Sequence, residues 1–439
     1  MNRRDFLKTA GTAAAAASVV ACGVRTEENT GKKTLGSMSS NMEGISLLGY
    51  GCMRWPASDG ENGEKVIDQE AVNSLVDRAI QAGVNYFDTA PLYIGGKSEQ
   101  ATANALLRYP RQSYRLATKC SNYKNLDYPI EEGVNMYRHS LEVFKTDYID
   151  YYLLHCLTGF EDFRDRFIGN GLLDFFLEER KAGRIRHLGW SYHGDREGFD
   201  RILELHSKYH WDFVQIQMNY VDWKHTDGDV EAEHMYRELD RLEIPVVIME
   251  PLLGGRLSEV PSAVSRLLKG REPQSSIASW AFRFCGSFPR VLTVLSGMTY
   301  MEHLEDNLDT FCNFRPLSEE DFTLLEQAAV MIKEFPTVGC TGCQYCMPCP
   351  YGINIPGIFK FYNSNITDGT YAVNAAQKNY GRIKRRYLLE YNKALPTVRQ
   401  ADHCTGCQIC ETRCPQGIDI ASQMRRIDRY IEDLKQDKL

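Results

Sequence analysis

Asp88, Tyr93, Lys119 and His155 bring a carboxylate, a phenol, an ammonium and an imidazole into one stretch of chain. Together they form a constellation able to move protons. Three of the four close an apolar run. Asp88 follows Val84-Asn85-Tyr86-Phe87, Lys119 ends Tyr114-Arg115-Leu116-Ala117-Thr118, and His155 ends the run from Tyr148 to Leu154. Such runs read as short buried strands, which places the polar groups at strand ends. Tyr93 lies in a segment that Pro91 and Gly95-Gly96 mark as loop and turn. Each group also has a plainer reading. A lone His is more often a hydrogen-bonded core residue, Lys119 with Asp88 a simple ion pair, and Tyr93 a loop aromatic.

A second chemistry sits near the C-terminus. Eight of the 14 cysteines fall in two tight groups, Cys340-x2-Cys343-x2-Cys346-x2-Cys349-Pro350 and Cys404-x2-Cys407-x2-Cys410-x3-Cys414-Pro415. Clustering of this kind argues for metal ligation over a disulfide framework. Zinc sites separate two Cys pairs by a longer spacer, and so many neighbouring cysteines would strain to pair with one another. Short spacings let thiolates and adjacent amides wrap an iron–sulfur cubane.

The second group matches the bacterial ferredoxin run, and the first is one residue short before its last Cys. Pro350-Tyr351-Gly352-Ile353-Asn354-Ile355 is echoed by Pro415-Gln416-Gly417-Ile418-Asp419-Ile420. This internal repeat resembles the two-cluster ferredoxins, with an insertion of helical character between the halves. The resemblance implies two [4Fe–4S] clusters, each taking its fourth ligand from the other run. Cys340, Cys343, Cys346 and Cys414 would hold one, and Cys404, Cys407, Cys410 and Cys349 the other. Cys52, Cys120, Cys156, Cys285 and Cys312 are expected to be buried and small. Cys120 and Cys156 directly follow Lys119 and His155, so on a strand they would face away from them.

The elements that must position these groups alternate. Strand patterns at 45–51, 84–88, 114–119, 148–154, 185–190, 213–217, 245–249 and 291–295 are separated by helical patterns. The helices read as 68–82, 98–108, 130–145, 172–181, 196–208, 230–242, 274–285 and 300–310. Eight strand–helix units predict a parallel (β/α)8 TIM barrel over residues 43–315. Ser318 to Lys333 reads as a connecting helix within 316–335, N-capped by Ser318 with Asp321 three residues on. Residues 336–430 are expected to form a small α-helical ferredoxin-like domain.

The chain is 25% charged and 43% hydrophobic, ordinary for a globular protein, and its net charge of −7 suggests no nucleic-acid or anionic-membrane surface. The N-terminus is a targeting segment. Asn2-Arg3-Arg4-Asp5-Phe6-Leu7-Lys8 and the short apolar stretch to Ala21 resemble the twin-arginine export signals of bacteria. Val19-Val20-Ala21-Cys22 resembles a lipoprotein processing site, which would make Cys22 a lipid anchor and the only membrane attachment. Residues 1–22 are therefore read as signal and 23–42 as a flexible linker. The expected location is the periplasm or cell envelope. Clusters are inserted in the cytoplasm and the twin-arginine route carries folded proteins, so the two readings agree.

The order Asp88, Tyr93, Lys119, His155 resembles the catalytic tetrad of the aldo/keto reductases. The resemblance implies hydride transfer between a nicotinamide and a small carbonyl or alcohol. Tyr93 would give the proton, its pKa drawn below about 10 by Lys119. Asp88 would hold Lys119, and His155 would orient the carbonyl oxygen. Ser191 and Gln215 match positions that bind the nicotinamide amide, and Asn307 matches one at the adenosine end. Met249 stands where the family stacks an aromatic, and Gly297 and His303 where it grips the 2′-phosphate. NAD(P)(H) is thus a candidate cofactor without a preferred form. The expected function is an exported oxidoreductase coupled to [4Fe–4S] electron transfer and a redox partner protein. The alternative is an electron-transfer protein whose barrel is a docking scaffold.

Overall fold

In the computed structural model, residues 44–60, 64–123, 127–226 and 231–439 are described. The signal and linker readings, Cys22 included, lie outside the described residues.

Eight strands close a barrel. They are β1 (Leu48–Gly51), β2 (Tyr86–Asp88), β3 (Arg115–Cys120), β4 (Ile149–Leu157), β5 (Ile185–Tyr192), β6 (Phe213–Gln217), β7 (Val246–Met249) and β8 (Val291–Ser296). Each pairs in parallel with its chain neighbours, and β8 closes on β1 through Leu48–Val294. The strands are apolar on both faces because each is covered on both sides. Tyr86, Ala117, Tyr151, Leu153, Phe213, Val247 and Leu292 fill the barrel interior. A larger core lies between strands and helices, with Trp190, Phe176 and Phe199 fully buried in it. Each of those phenylalanines contributes about 1.5–3 kcal/mol.

Local signals set most helix ends. Asp68 accepts from the Ala71 N–H at 3.0 Å and starts the helix Gln69–Gln81. Ser318 and Asp321 form a capping box at the start of Glu319–Lys333, as expected. That helix packs Leu325, Ala328, Ala329 and Ile332 into the barrel core. The helix expected over 196–208 is broken after Glu204 and resumes as His206–Tyr209. The second turn lets the His206 ring accept from the Trp211 N–H at 3.1 Å, which seats the Trp211 indole in the core. The sequence patterns gave no sign of a helix at Ser262–Arg271 or of an antiparallel ribbon pairing Ala57–Asp59 with Lys65–Ile67.

The C-terminal region is helical. Helices Ile355–Thr367, Tyr380–Ala394 and Ile420–Lys435 share a core built on Ile358, Phe359, Tyr362, Tyr387, Ile427 and Ile431. The internal repeat folds alike in both halves. Asn354 caps its helix at the Gly357 N–H, and Asp419 caps its own at the Ser422 N–H. Among the described residues, no helix is long and apolar enough to cross a membrane.

Candidate functional site

Strand β2 delivers Asp88 and β3 delivers Lys119 to the same barrel end. Lys119 Nζ donates to Asp88 Oδ1 at 2.5 Å and to the Thr89 carbonyl at 2.9 Å. The pair is buried, with 0% and 4% of the side chains exposed. Burial pushes the Asp88 carboxyl up and the Lys119 ammonium down, and their pairing opposes both shifts. The ammonium also lies 5.3 Å from the centre of the Tyr93 ring, and that ring meets His155 edge-on at 5.7 Å. The four residues thus form one cluster. The Tyr93 phenol is raised well above its ordinary value, not lowered as expected. Its burial and the nearby Asp88 dominate, because Lys119 is turned toward Asp88 and Thr89.

Residues around the tetrad fix His155. Its Nδ1 is 2.5 Å from Ser121 Oγ, and its carbonyl accepts from Arg166 at 2.6 Å. Arg166 is fully buried and also holds Asn122, Asp162 and the Cys156 carbonyl. Burial and the Lys119 charge keep the imidazole neutral. Ser121, Asn122 and Tyr123 follow directly after β3, so their strand-end position is the signal that could have found them. Arg166 had no such signal.

Cys156 departs from expectation. Its backbone is left-handed, at φ 57°, and the β4–β5 register shifts between Leu154 and Leu157. The bulge breaks simple alternation. Cys156 therefore sits on the site side, near Tyr93, Tyr123 and Cys343, rather than facing away from them. Cys120 does point outward, into the helix-side core. Cys52 and Cys285 are buried as well, and Cys312 is half-buried.

Ser191 and Gln215 are register partners on β5 and β6. Ser191 Oγ accepts from the Cys156 N–H at 2.8 Å. Among the described residues the buried Gln215 carbonyl oxygen has no partner, which suits a carboxamide N–H arriving there. Asn307 lies apart, on the helix Met301–Cys312, and donates to Ser296 at 2.8 Å. Arg54 packs along Gly297 and donates to the Thr341 carbonyl at 2.7 Å.

That last contact belongs to a seam. The segment around the first cysteine run sits on the barrel mouth. Gln217 and Gln416 exchange amide hydrogen bonds at 3.1 and 2.7 Å, and Arg256 donates to Thr337 at 2.7 Å. Gly254 has φ 70°, and a Cβ there would lie 2.4 Å from Thr341 Cα, so only glycine permits this approach. Tyr345, between Cys343 and Cys346, reaches into the site. Its phenol lies 3.4 Å from His155 Nε2 and also meets Tyr93 and Tyr123. Nothing in the spacing of the cysteine run singles out this tyrosine.

The cysteines group across the repeat. Cys340 and Cys343 face Cys414, and Cys346 faces Cys343, Cys340 and Cys414 and also lies near Cys410. Cys410 faces Cys349 and Cys404, and Cys349, Cys404, Cys407 and Cys410 together line one pocket. All eight are free thiols. Among the described residues, no three His, Cys, Asp or Glu side chains converge on a single ion. Two quartets of spaced thiols fit a larger group better than one zinc ion.

Comparison with known proteins agrees with both halves. Residues 47–330 match the aldo/keto reductase family. The chain belongs to that family. Residues 339–420 match the 4Fe-4S dicluster domain, and residues 1–20 the twin-arginine translocation pathway signal sequence. The aldo/keto reductase part is 36% identical over 311 residues to L-galactose dehydrogenase of Arabidopsis thaliana, covering 65% of this chain and 91% of that one. It is 28% identical over 313 residues to the oxidoreductase YqkF of Bacillus subtilis, covering 64% and 92%. Among solved structures, the holo form of aldo-keto reductase AKR11C1 from Bacillus halodurans matches with TM-score 0.52 and 25% identity over 65% of this chain and 92% of that one. An aldo/keto reductase of Klebsiella pneumoniae, solved with NADP and acetate, shares the fold at TM-score 0.51 and 20% identity over 64% and 91%. The chain is therefore an oxidoreductase with an aldo/keto reductase barrel and an iron–sulfur domain, carrying a twin-arginine signal.

Proposed function

We propose that this protein is an exported oxidoreductase in which carbonyl or alcohol chemistry at the barrel is coupled to electron transfer through two [4Fe–4S] clusters. The observation that carries this reading is the contact between Tyr345 and His155 at 3.4 Å. It joins a cysteine run to the tetrad, so the two chemistries share one site. The functional divisions proposed are 1–22, 23–42, 43–315, 316–335 and 336–430, with lipid attachment at Cys22.

Tyr93 is the proton donor. Raised by burial, it stays protonated at neutral pH and can give its proton to a carbonyl oxygen as the carbon gains hydride. His155, neutral and held through Nδ1 by Ser121, offers Nε2 to orient that oxygen. Asp88 and Lys119 hold a compensated charge pair beneath the ring. Ser191 and Gln215 are the residues to hold a nicotinamide, with Asn307 toward the adenosine end. A bound nicotinamide would supply or accept the hydride, and the clusters would pass electrons singly. The two thiol quartets are those set out above.

A second reading keeps the clusters but makes the barrel a scaffold. One contact favours it: Arg54 is engaged by the Thr341 carbonyl. One assay separates them. Mature protein purified without oxygen is denatured, and iron, sulfide and released nicotinamide are measured. About eight irons with bound nicotinamide support the enzyme. Eight irons with no nicotinamide, and no binding of added NADH or NADPH, support the scaffold.

A further inference from the structure

The C-terminal region opposes the rest of the chain in charge. Residues 336–439 hold 14 Lys and Arg against nine Asp and Glu, a net of +5 in a chain of net −7, which leaves residues 1–335 at −12. The two cysteine quartets also differ in exposure. Cys346 is buried and Cys343 lies near Cys156 and Glu250 of the barrel. Cys407 is exposed, and every residue lining the pocket of Cys349, Cys404, Cys407 and Cys410 comes from the C-terminal region itself.

Apolar side chains stand in the open beside that pocket. Tyr351 is 50% exposed, Val398 68% and Ile409 43%. Tyr351 lines the pocket, and Ile409 lies between Cys407 and Cys410. The turn Thr397–Arg399 packs beside them, since the Asn354 N–H donates to the Arg399 carbonyl at 3.1 Å. Exposed Arg399, Arg413 and Arg425 flank this patch. Arg425 Nη1 lies 3.3 Å from where a Cβ on Gly406 would stand, between Cys404 and Cys407. Of the nearby acids, Glu411 is committed to the Ala421 N–H at 2.8 Å, and Asp402 is exposed. An apolar patch with a polar rim marks an interaction site.

We propose that this basic rim with an apolar centre is the docking site of an acidic one-electron carrier protein. The proposal rests on the cluster reading above. Opposite charge steers the carrier, and apolar contact brings it close to the group held by Cys349, Cys404, Cys407 and Cys410. The quartet beside His155 then faces the barrel, and the outer one faces the partner. Each encounter moves one electron. Two oxidised carriers take the two electrons of one alcohol becoming a carbonyl, and two protons go to water; carbonyl reduction is the reverse.

The test is binding, read by interferometry on anaerobically purified mature protein. The probes are an acidic plant-type [2Fe–2S] ferredoxin and a basic cytochrome c. The ferredoxin should bind, and its Kd should rise steeply with salt. Arg399→Glu with Arg425→Glu should raise that Kd about tenfold or more at unchanged iron content and visible spectrum. Val398→Ser should weaken binding without touching a charge. Preference for the cytochrome, or wild-type affinity in the arginine variant, overturns the proposal. So does arginine-dependent binding to phosphatidylglycerol vesicles without ferredoxin binding. Iron in the protein with no ferredoxin binding sinks the docking site and leaves the cluster reading standing. Binding by protein that holds no iron does the opposite.

Discussion

The Tyr345 phenol oxygen stands 3.4 Å from His155 Nε2, although one residue lies in a cysteine run and the other lies near the end of strand β4 of the barrel. The phenol occupies the nitrogen that a substrate oxygen would use. Tyr345→Phe keeps the ring and removes this competitor, worth about 1 kcal/mol as one hydrogen bond. Steady-state kinetics should show KM for a small carbonyl falling about fivefold, with iron content unchanged. A raised KM would mean that the phenol helps to bind substrate.

The tetrad predicts a loss that separates chemistry from folding. Tyr93→Phe should reduce turnover by roughly a hundredfold or more, the scale of a lost proton donor, while leaving the unfolding midpoint near wild type. Undiminished turnover would refute Tyr93 as the donor.

Asp88→Asn should do the reverse in stability. It leaves the Lys119 ammonium, with none of its side chain exposed, without a countercharge. Removing one partner of a buried pair costs about 3–5 kcal/mol. Urea unfolding of the variant beside wild type measures it, and a shift under about 1 kcal/mol would show that the pair is wetter than its burial implies.

Stability should fall in mild acid through His193. Burial holds its imidazole near a pKa of about 4, against 6.5 when unfolded. The unfolded chain therefore binds the extra proton between those values. The contribution is complete above pH 6.5 and drains away as pH falls toward 4, up to about 3 kcal/mol. The urea midpoint of wild type should drop across this window, and His193→Gln should lessen that drop, with His155, which burial also keeps neutral, supplying part of the rest. Parallel curves for the two proteins would exclude His193 as the cause.

The crossed quartets can be separated by single substitutions. Cys414→Ser should disturb the cluster held by Cys340, Cys343 and Cys346, and Cys349→Ser the one held by Cys404, Cys407 and Cys410. Each variant should lose about half of its iron, with a different electron paramagnetic resonance signal surviving in each. Loss of the same signal from both would refute the crossing.

Much of this protein was legible in its residues. Strand-end polar groups, the alternation of periods and the cysteine spacings are local patterns, and local patterns fix local structure. They gave the barrel, the order of Asp88, Tyr93, Lys119 and His155, the capping box at Ser318 and the internal repeat of the two cysteine runs. Tertiary structure decided what depends on residues far apart in the chain. The Tyr93 phenol is raised because the fold buries it and sets Asp88 nearby. Cys156 turns toward the site because a bulge interrupts β4. Tyr345 reaches His155 because Gly254 admits Thr341 and the Gln217–Gln416 pair seats the cysteine run on the barrel mouth. Contacts between residues 190 or more positions apart leave no period in a sequence, so only the folded chain could show that the two chemistries meet.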